Sequence, residues 1–139
     1  MRFMVLMYPS EKAETGAMPD AKLVEAMTKF NEDLAKAGVL LSLDGLHPTS
    51  KGARITFPGG KPKVNDGPFA EGKEVIGGYW LIQVKSREEA IEWAKRCPDT
   101  DARAIELRQV FEMSDFPADV QKAGDSPTVR AQLERGQGS

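Results

Sequence analysis

The chain has one cysteine, one histidine and no long apolar run, and each scarcity closes off a class of protein. A lone Cys97 can neither form an internal disulfide nor supply a thiolate cluster for a structural zinc, so a reducing compartment is the natural setting. No stretch approaches the roughly 18 apolar residues that a membrane-crossing helix requires. The run Phe3–Tyr8 is about half of what a signal-peptide core needs and Pro9 stops it, so the protein is expected in the cytoplasm, with no membrane partner. Charge of one sign is lacking too. Nineteen basic against twenty-one acidic residues leave a net −2, which denies the chain the basic face that nucleic acid needs. No phosphate-cradling loop is visible: Gly59-Gly60 is followed by neither a Lys-Ser/Thr pair nor a helix. With no metal cluster or serine triad either, no cofactor and no metal are expected.

What is present suits one ordinary folded domain. At 139 residues, 40% hydrophobic and 29% charged, the chain can bury about two-thirds of the surface that its unfolded form exposes. Residues 2–8 are apolar, short and stopped by proline, the pattern of a buried strand. Residues 9–18 have no period and read as a long loop. From Asp20 to Ala37 the apolar positions Leu23, Met27, Phe30 and Leu34 recur at helical spacing, with Pro19 at the start and Gly38 just past the end. A second strand follows at 39–43. Residues 53–57 and 61–65 flank Pro58-Gly59-Gly60 and form an exposed hairpin. Gly77–Lys85 is the clearest strand, nearly all apolar. Ser86 with Glu89 three residues on is a capping box that opens a second helix, stopped by Pro98. Residues 103–112 alternate as a last strand. Residues 1–117 then form the domain, and the polar tail 118–139 is an arm with at most a short helix near 129–134, partly disordered or clasping a dimer.

Strand, helix, strand, hairpin, strand, helix, strand is a ferredoxin-like βαββαβ order, an α+β fold whose helices cover one face of a four-stranded antiparallel sheet. The other face needs a cover as well. Met4, Leu6 and Tyr8 lie opposite Phe3, Val5 and Met7, and Tyr79 opposite Trp80, so a homodimer packed sheet to sheet is expected.

The segment 64–74, Val-Asn-Asp-Gly-Pro-Phe-Ala-Glu-Gly-Lys-Glu, precedes Gly77-Gly78-Tyr79-Trp80, then 89–98 and Glu106-Leu107-Arg108. In that order they resemble the DGPF branch of the YCII-related (YciI-like) family, from residue 2 to about 113. The resemblance implies a dimeric α+β-barrel fold. It also implies a proposed His–Asp active site and, for some relatives, a link with sigma factors. The family's aspartate falls on Asp66, but its histidine belongs to the first helix, which has none here.

The chemistry therefore rests on few groups. His47, with an imidazole that titrates near neutrality, could act as a general base oriented by Asp66; equally, it is a loop residue packed on Pro48. Asp66-Gly67-Pro68-Phe69 reads either as a structural turn or as a turn that also aims Asp66 into a pocket. Arg54 and Arg108 can clamp an anion with a planar fork, though Glu106 is an obvious partner for Arg108; Phe69 completes the binding candidates. Glu71, Lys73 and Glu74 read as solvated or mutually paired. Cys97, at a helix carboxyl end, is a poor nucleophile. Two functions stay open, with enzyme status undecided. One is a homodimer binding a small polar organic ligand, with proton transfer or isomerisation at His47 and Asp66. The other is a non-catalytic accessory protein of transcription or signalling.

Overall fold

A computed structural model describes residues 1–69, 75–99 and 104–137. Its elements run β1 (Arg2–Met7), α1 (Glu11–Glu14), α2 (Ala21–Lys36), β2 (Leu40–Gly45), β3 (Ala53–Thr56), β4 (Lys63–Asp66) and β5 (Gly78–Gln83). They continue with α3 (Arg87–Lys95), β6 (Ile105–Gln109), α4 (Ala118–Gly124) and α5 (Pro127–Gln137). Glu71, Lys73 and Glu74 lie outside the described residues.

The sheet order is β2-β5-β1-β6 with every neighbouring pair antiparallel, so the fold is ferredoxin-like α+β. The register sorts side chains as alternation demands. Phe3 faces Ile82 across the β1–β5 ladder and Val5 faces Trp80, all four turned to the helices. Phe30 and Leu34 of α2 and Ala90 of α3 close over them, with Trp93 and Ala94 packed alongside. Trp80, 5% exposed, meets the Phe30 ring edge-on at 5.5 Å and donates its indole N–H to Asn31 Oδ1 at 2.7 Å. A buried polar edge is thereby satisfied, which is what permits a tryptophan there.

The helix ends obey local rules with small departures. Asp20, not Pro19, is the cap of α2: its carboxylate accepts from Leu23 N at 2.8 Å. Gly38 takes φ +75, the left-handed residue after the helix. Ser86 Oγ accepts from Glu89 N as the capping box predicts, but Glu89 Oε2 accepts from Lys85 N rather than from Ser86. Two expectations are corrected outright. The loop 9–18 contains the single turn α1, started by Ser10, whose Oγ accepts from Ala13 N. The tail is also more helical than its composition suggests, because Ser126 caps α5 by accepting from Val129 N.

Strands β3 and β4 form a two-stranded ladder of their own, with Ile55 opposite Val64. Gly59 and Gly60 turn the chain at φ +62 and +82, which a side chain would resist. This inserted hairpin delivers Asp66-Gly67-Pro68-Phe69 to the turn Thr49–Lys51.

Candidate functional site

Asp66 ends β4 opposite Ala53, and the next three residues are held from three directions. Gly67 N donates to Gly52 O at 3.0 Å, which closes the base of the hairpin. Phe69 N donates to Thr49 Oγ1 at 3.1 Å. Thr49 in turn gives both its N–H, at 3.0 Å, and its hydroxyl hydrogen to Glu14 Oε1. One hydroxyl thus receives from the motif and donates to a carboxylate of α1, so its donor and one acceptor position are both used. The Gly67–Pro68 peptide bond is cis.

Glycine at position 67 has a geometric cause. A Cβ built there would lie 1.7 Å from Thr49 O and 2.5 Å from its carbonyl carbon, far inside contact distance. The backbone of the motif rests directly on the backbone of the turn Thr49–Lys51. Beyond it, the Arg54 guanidinium lies over the Phe69 ring at 4.0 Å, a cation–π stack that fixes both side chains.

The sequence candidates divide accordingly. Arg54 and Phe69 are in contact. His47 and Asp66 are both exposed, and among the described residues neither side chain has a hydrogen-bond or ion-pair partner. No hydrogen bond joins one to the other. Arg108 belongs elsewhere, on the sheet face away from the helices, 3.5 Å from Glu106 as its spacing suggested, with its side chain 71% exposed. Glu106 there also accepts from Tyr8 Oη at 2.9 Å, and Asp44 accepts from Tyr79 Oη at 2.9 Å. Each carboxylate bond holds its phenol above the ordinary tyrosine range, because the ionised phenol could not donate it.

Two residues that hold the motif, Glu14 and Thr49, escape sequence reasoning. Their contact spans thirty-five positions, and neither a threonine after Pro48 nor a glutamate in an aperiodic loop announces such a partner. Among the described residues, no group of three His, Cys, Asp or Glu side chains is arranged to hold a metal ion. Between helices and sheet the interior is filled by Val5, Phe30, Leu34 and Trp80 among others, and a shallow groove is lined by Gln109, Val110, Phe111 and Asp115. Neither includes His47 or Asp66.

What the arrangement offers is a loop held by backbone and side-chain hydrogen bonds, with a guanidinium of β3 stacked on its Phe69 and with an exposed carboxylate at Asp66 and an exposed imidazole at His47. A carboxylate and an imidazole can exchange protons with a bound molecule, and a guanidinium can neutralise an anionic one.

Among solved structures, the chain is similar to 5-chloro-2-hydroxyhydroquinone dehydrochlorinase from Burkholderia phenoliruptrix AC1100 in complex with 2,5-dihydroxybenzoquinone. The likeness is 12% identity and a TM-score of 0.46 over 84% of this chain and 100% of that one. It is 27% identical over 124 residues, 85% of this chain and 100% of the relative, to an uncharacterised protein of Rhizobium meliloti (strain 1021). The YCII-related domain model matches residues 1–114, which takes in the whole βαββαβ unit, the hairpin and the Asp66–Phe69 turn. On that match the chain belongs to the YCII-related family.

Proposed function

We propose that this YCII-related protein is a homodimer, of the DGPF branch, that binds a small polar organic molecule beside Asp66 and moves a proton on it. The observation that carries the reading is a contrast of restraint and freedom. The motif backbone is pinned through Gly52, Thr49 and Glu14, while among the described residues neither the Asp66 carboxylate nor the His47 imidazole has a hydrogen-bond or ion-pair partner. Groups that serve only to hold a turn spend their polar atoms on the turn. In this reading Arg54, braced on Phe69, neutralises an anionic ligand. One of Asp66 and His47 takes a proton from a carbon beside a carbonyl, and the other returns one to a neighbouring position, an isomerisation with no net change in composition. Sheet-to-sheet pairing covers Met4, Leu6 and Leu81, which are half-exposed on the face away from the helices.

His47 is the sole histidine, so its ring protons give an isolated pair of NMR signals. Wild type, Asp66→Asn and Arg54→Ala are titrated with a panel of small carboxylates, keto acids and lactones. The expected result is a saturable movement of the His47 signals by at least one compound, lost in both variants. A panel that never moves them, or variants that respond like wild type, refutes the site. Sedimentation that finds a monomer at micromolar concentration refutes the dimer.

A second reading is favoured by α5, where Val129 and Leu133, one turn apart, are both exposed. An accessory protein would use that stripe to dock on a transcription or signalling partner, and deletion of 118–139 would then abolish co-purification of that partner.

A further inference from the structure

We infer that the face of the β3–β4 hairpin that carries Arg54 and Lys63 binds small organic anions with two acid groups. The site shares Arg54 with the reading above and needs neither Asp66 nor His47.

The register fixes what that face holds. Arg54 stands opposite Asn65 and Thr56 opposite Lys63, so these four side chains share one side of the ladder, while Ala53, Ile55, Val64 and Asp66 take the other. The Asn65 amide confirms the grouping, since Nδ2 donates to Thr56 Oγ1 at 3.4 Å. The two cations are therefore diagonal neighbours, with a hydroxyl and an amide completing the square. Each of the four groups can donate a hydrogen bond and none is a carboxylate. Asp66, the one acid between Ala53 and the end of β4, is turned to the opposite face. Among the described residues neither Arg54 nor Lys63 has an ion-pair partner.

Stability does not explain this arrangement. Two like charges on one face of a two-stranded ribbon oppose its folding, and such a ribbon is marginal in water already. A lysine on an exposed strand can discourage pairing with other chains, which would account for Lys63 alone. Arg54 is left unexplained. It is half-buried and lies over the Phe69 ring at 4.0 Å, and Phe69 is itself anchored by its N–H to Thr49 Oγ1. A guanidinium stacked in this way has one flat side covered and its N–H edge held in place, which is what a planar carboxylate recognises. With one acid group on Arg54, the Lys63 ammonium on its flexible stem reaches the second, and the Thr56 hydroxyl and the spare Asn65 N–H serve the oxygens between.

The test follows the Arg54 Nε–H NMR signal of the full chain, assigned by its loss in Arg54→Lys. At low salt, malonate, succinate and glutarate are each titrated beside the monoacid of the same carbon count. The expected result is a saturable shift with at least one diacid, at a Kd about threefold below that of its monoacid, the effect of one further exposed ion pair. Lys63→Ala should abolish that advantage and leave the monoacid unchanged, and Asp66→Asn should alter neither. The site is overturned by the absence of a saturable shift, by diacid and monoacid Kd values within about 1.5-fold of one another, or by an advantage that survives in Lys63→Ala. Loss of the shift in Asp66→Asn overturns it as well, because the anion then belongs to the Asp66 site alone. The His47 titration described above is read separately and should not respond to Lys63→Ala, so either reading can fail without the other.

Discussion

Gly67→Ala places a methyl carbon where Thr49 O already stands, at 1.7 Å. Ordinary contact requires roughly twice that separation. The obstacle is backbone on both sides, so a side-chain rotation cannot relieve it. Either the hairpin base or the turn at Thr49–Lys51 must move by well over an ångström. That movement breaks the Gly67 N–Gly52 O bond of 3.0 Å and the Phe69 N–Thr49 Oγ1 bond of 3.1 Å, and it draws Phe69 away from Arg54. Each hydrogen bond is worth about 1 kcal/mol net, and an exposed cation–π stack about 0.5–1 kcal/mol. The expected loss is therefore about 2–3 kcal/mol, capped there because a displaced loop can rehydrate its polar groups. For a domain of this size that is roughly 4–12 °C in Tm. Urea unfolding followed by tryptophan fluorescence measures it, with Gly45→Ala as the control. Nothing lies within 4 Å of a Cβ at Gly45, and alanine there should change stability by less than about 0.5 kcal/mol. If Gly67→Ala unfolds within 0.5 kcal/mol of wild type by that assay, the close approach of the two turns is wrong.

Three further outcomes follow from the geometry. Asn31→Ala leaves the Trp80 indole N–H without its acceptor and should cost about 1–3 kcal/mol in urea, with Asn31→Asp costing less because it keeps an oxygen in place. Burial pushes the Cys97 thiol from 9.0 up to about 11, so at pH 8 it should react with a disulfide reagent roughly a hundredfold more slowly in the native protein than in urea. The unfolded thiol ionises first, so wild type should lose stability from about pH 9 to 11 while Cys97→Ala stays flatter. Finally, the Arg2 fork holds the Glu112 carboxyl below its usual 4.5, so its contribution is present above that pH and lost as pH falls. The stability difference between wild type and Arg2→Gln should narrow on acidification, and a constant gap would show that the pair does not act as an ion pair.

The elements were legible wherever period and punctuation agreed. Leu23, Met27, Phe30 and Leu34 lie one turn apart and must share a face, so α2 follows from spacing alone, and Gly38 marks its end for a steric reason. The alternation of 105–109 likewise foretold that Glu106 and Arg108 would meet. Local rules fail where a second donor competes or a long-range partner decides. Glu89 offers its carboxylate to Lys85 rather than closing the box on Ser86, a choice between two N–H donors one residue apart. The short helix at Glu11–Glu14 has no apolar stripe; Ser10 starts it, and Glu14 is drawn to Thr49. The site was legible as a motif and not as a mechanism. Gly67 is required by Thr49, eighteen positions earlier, and no spacing rule connects a glycine to a carbonyl that only the fold brings near.

The chain enters the hairpin at Gly52 and leaves it at Gly67, and those two residues are bonded to one another at 3.0 Å. The fourteen-residue excursion between them consequently begins and ends at one spot, like a cassette plugged into a single socket. Closing such a gap with a short turn costs little entropy, because the cost of a loop grows only with the logarithm of its length. The four-stranded sheet neither donates to nor accepts from the strands inside the cassette. Hairpins of other lengths and sequences that keep Asp66 at their last position can therefore be exchanged there, which gives selection, or an engineer, a way to alter what surrounds Asp66 without re-solving the core.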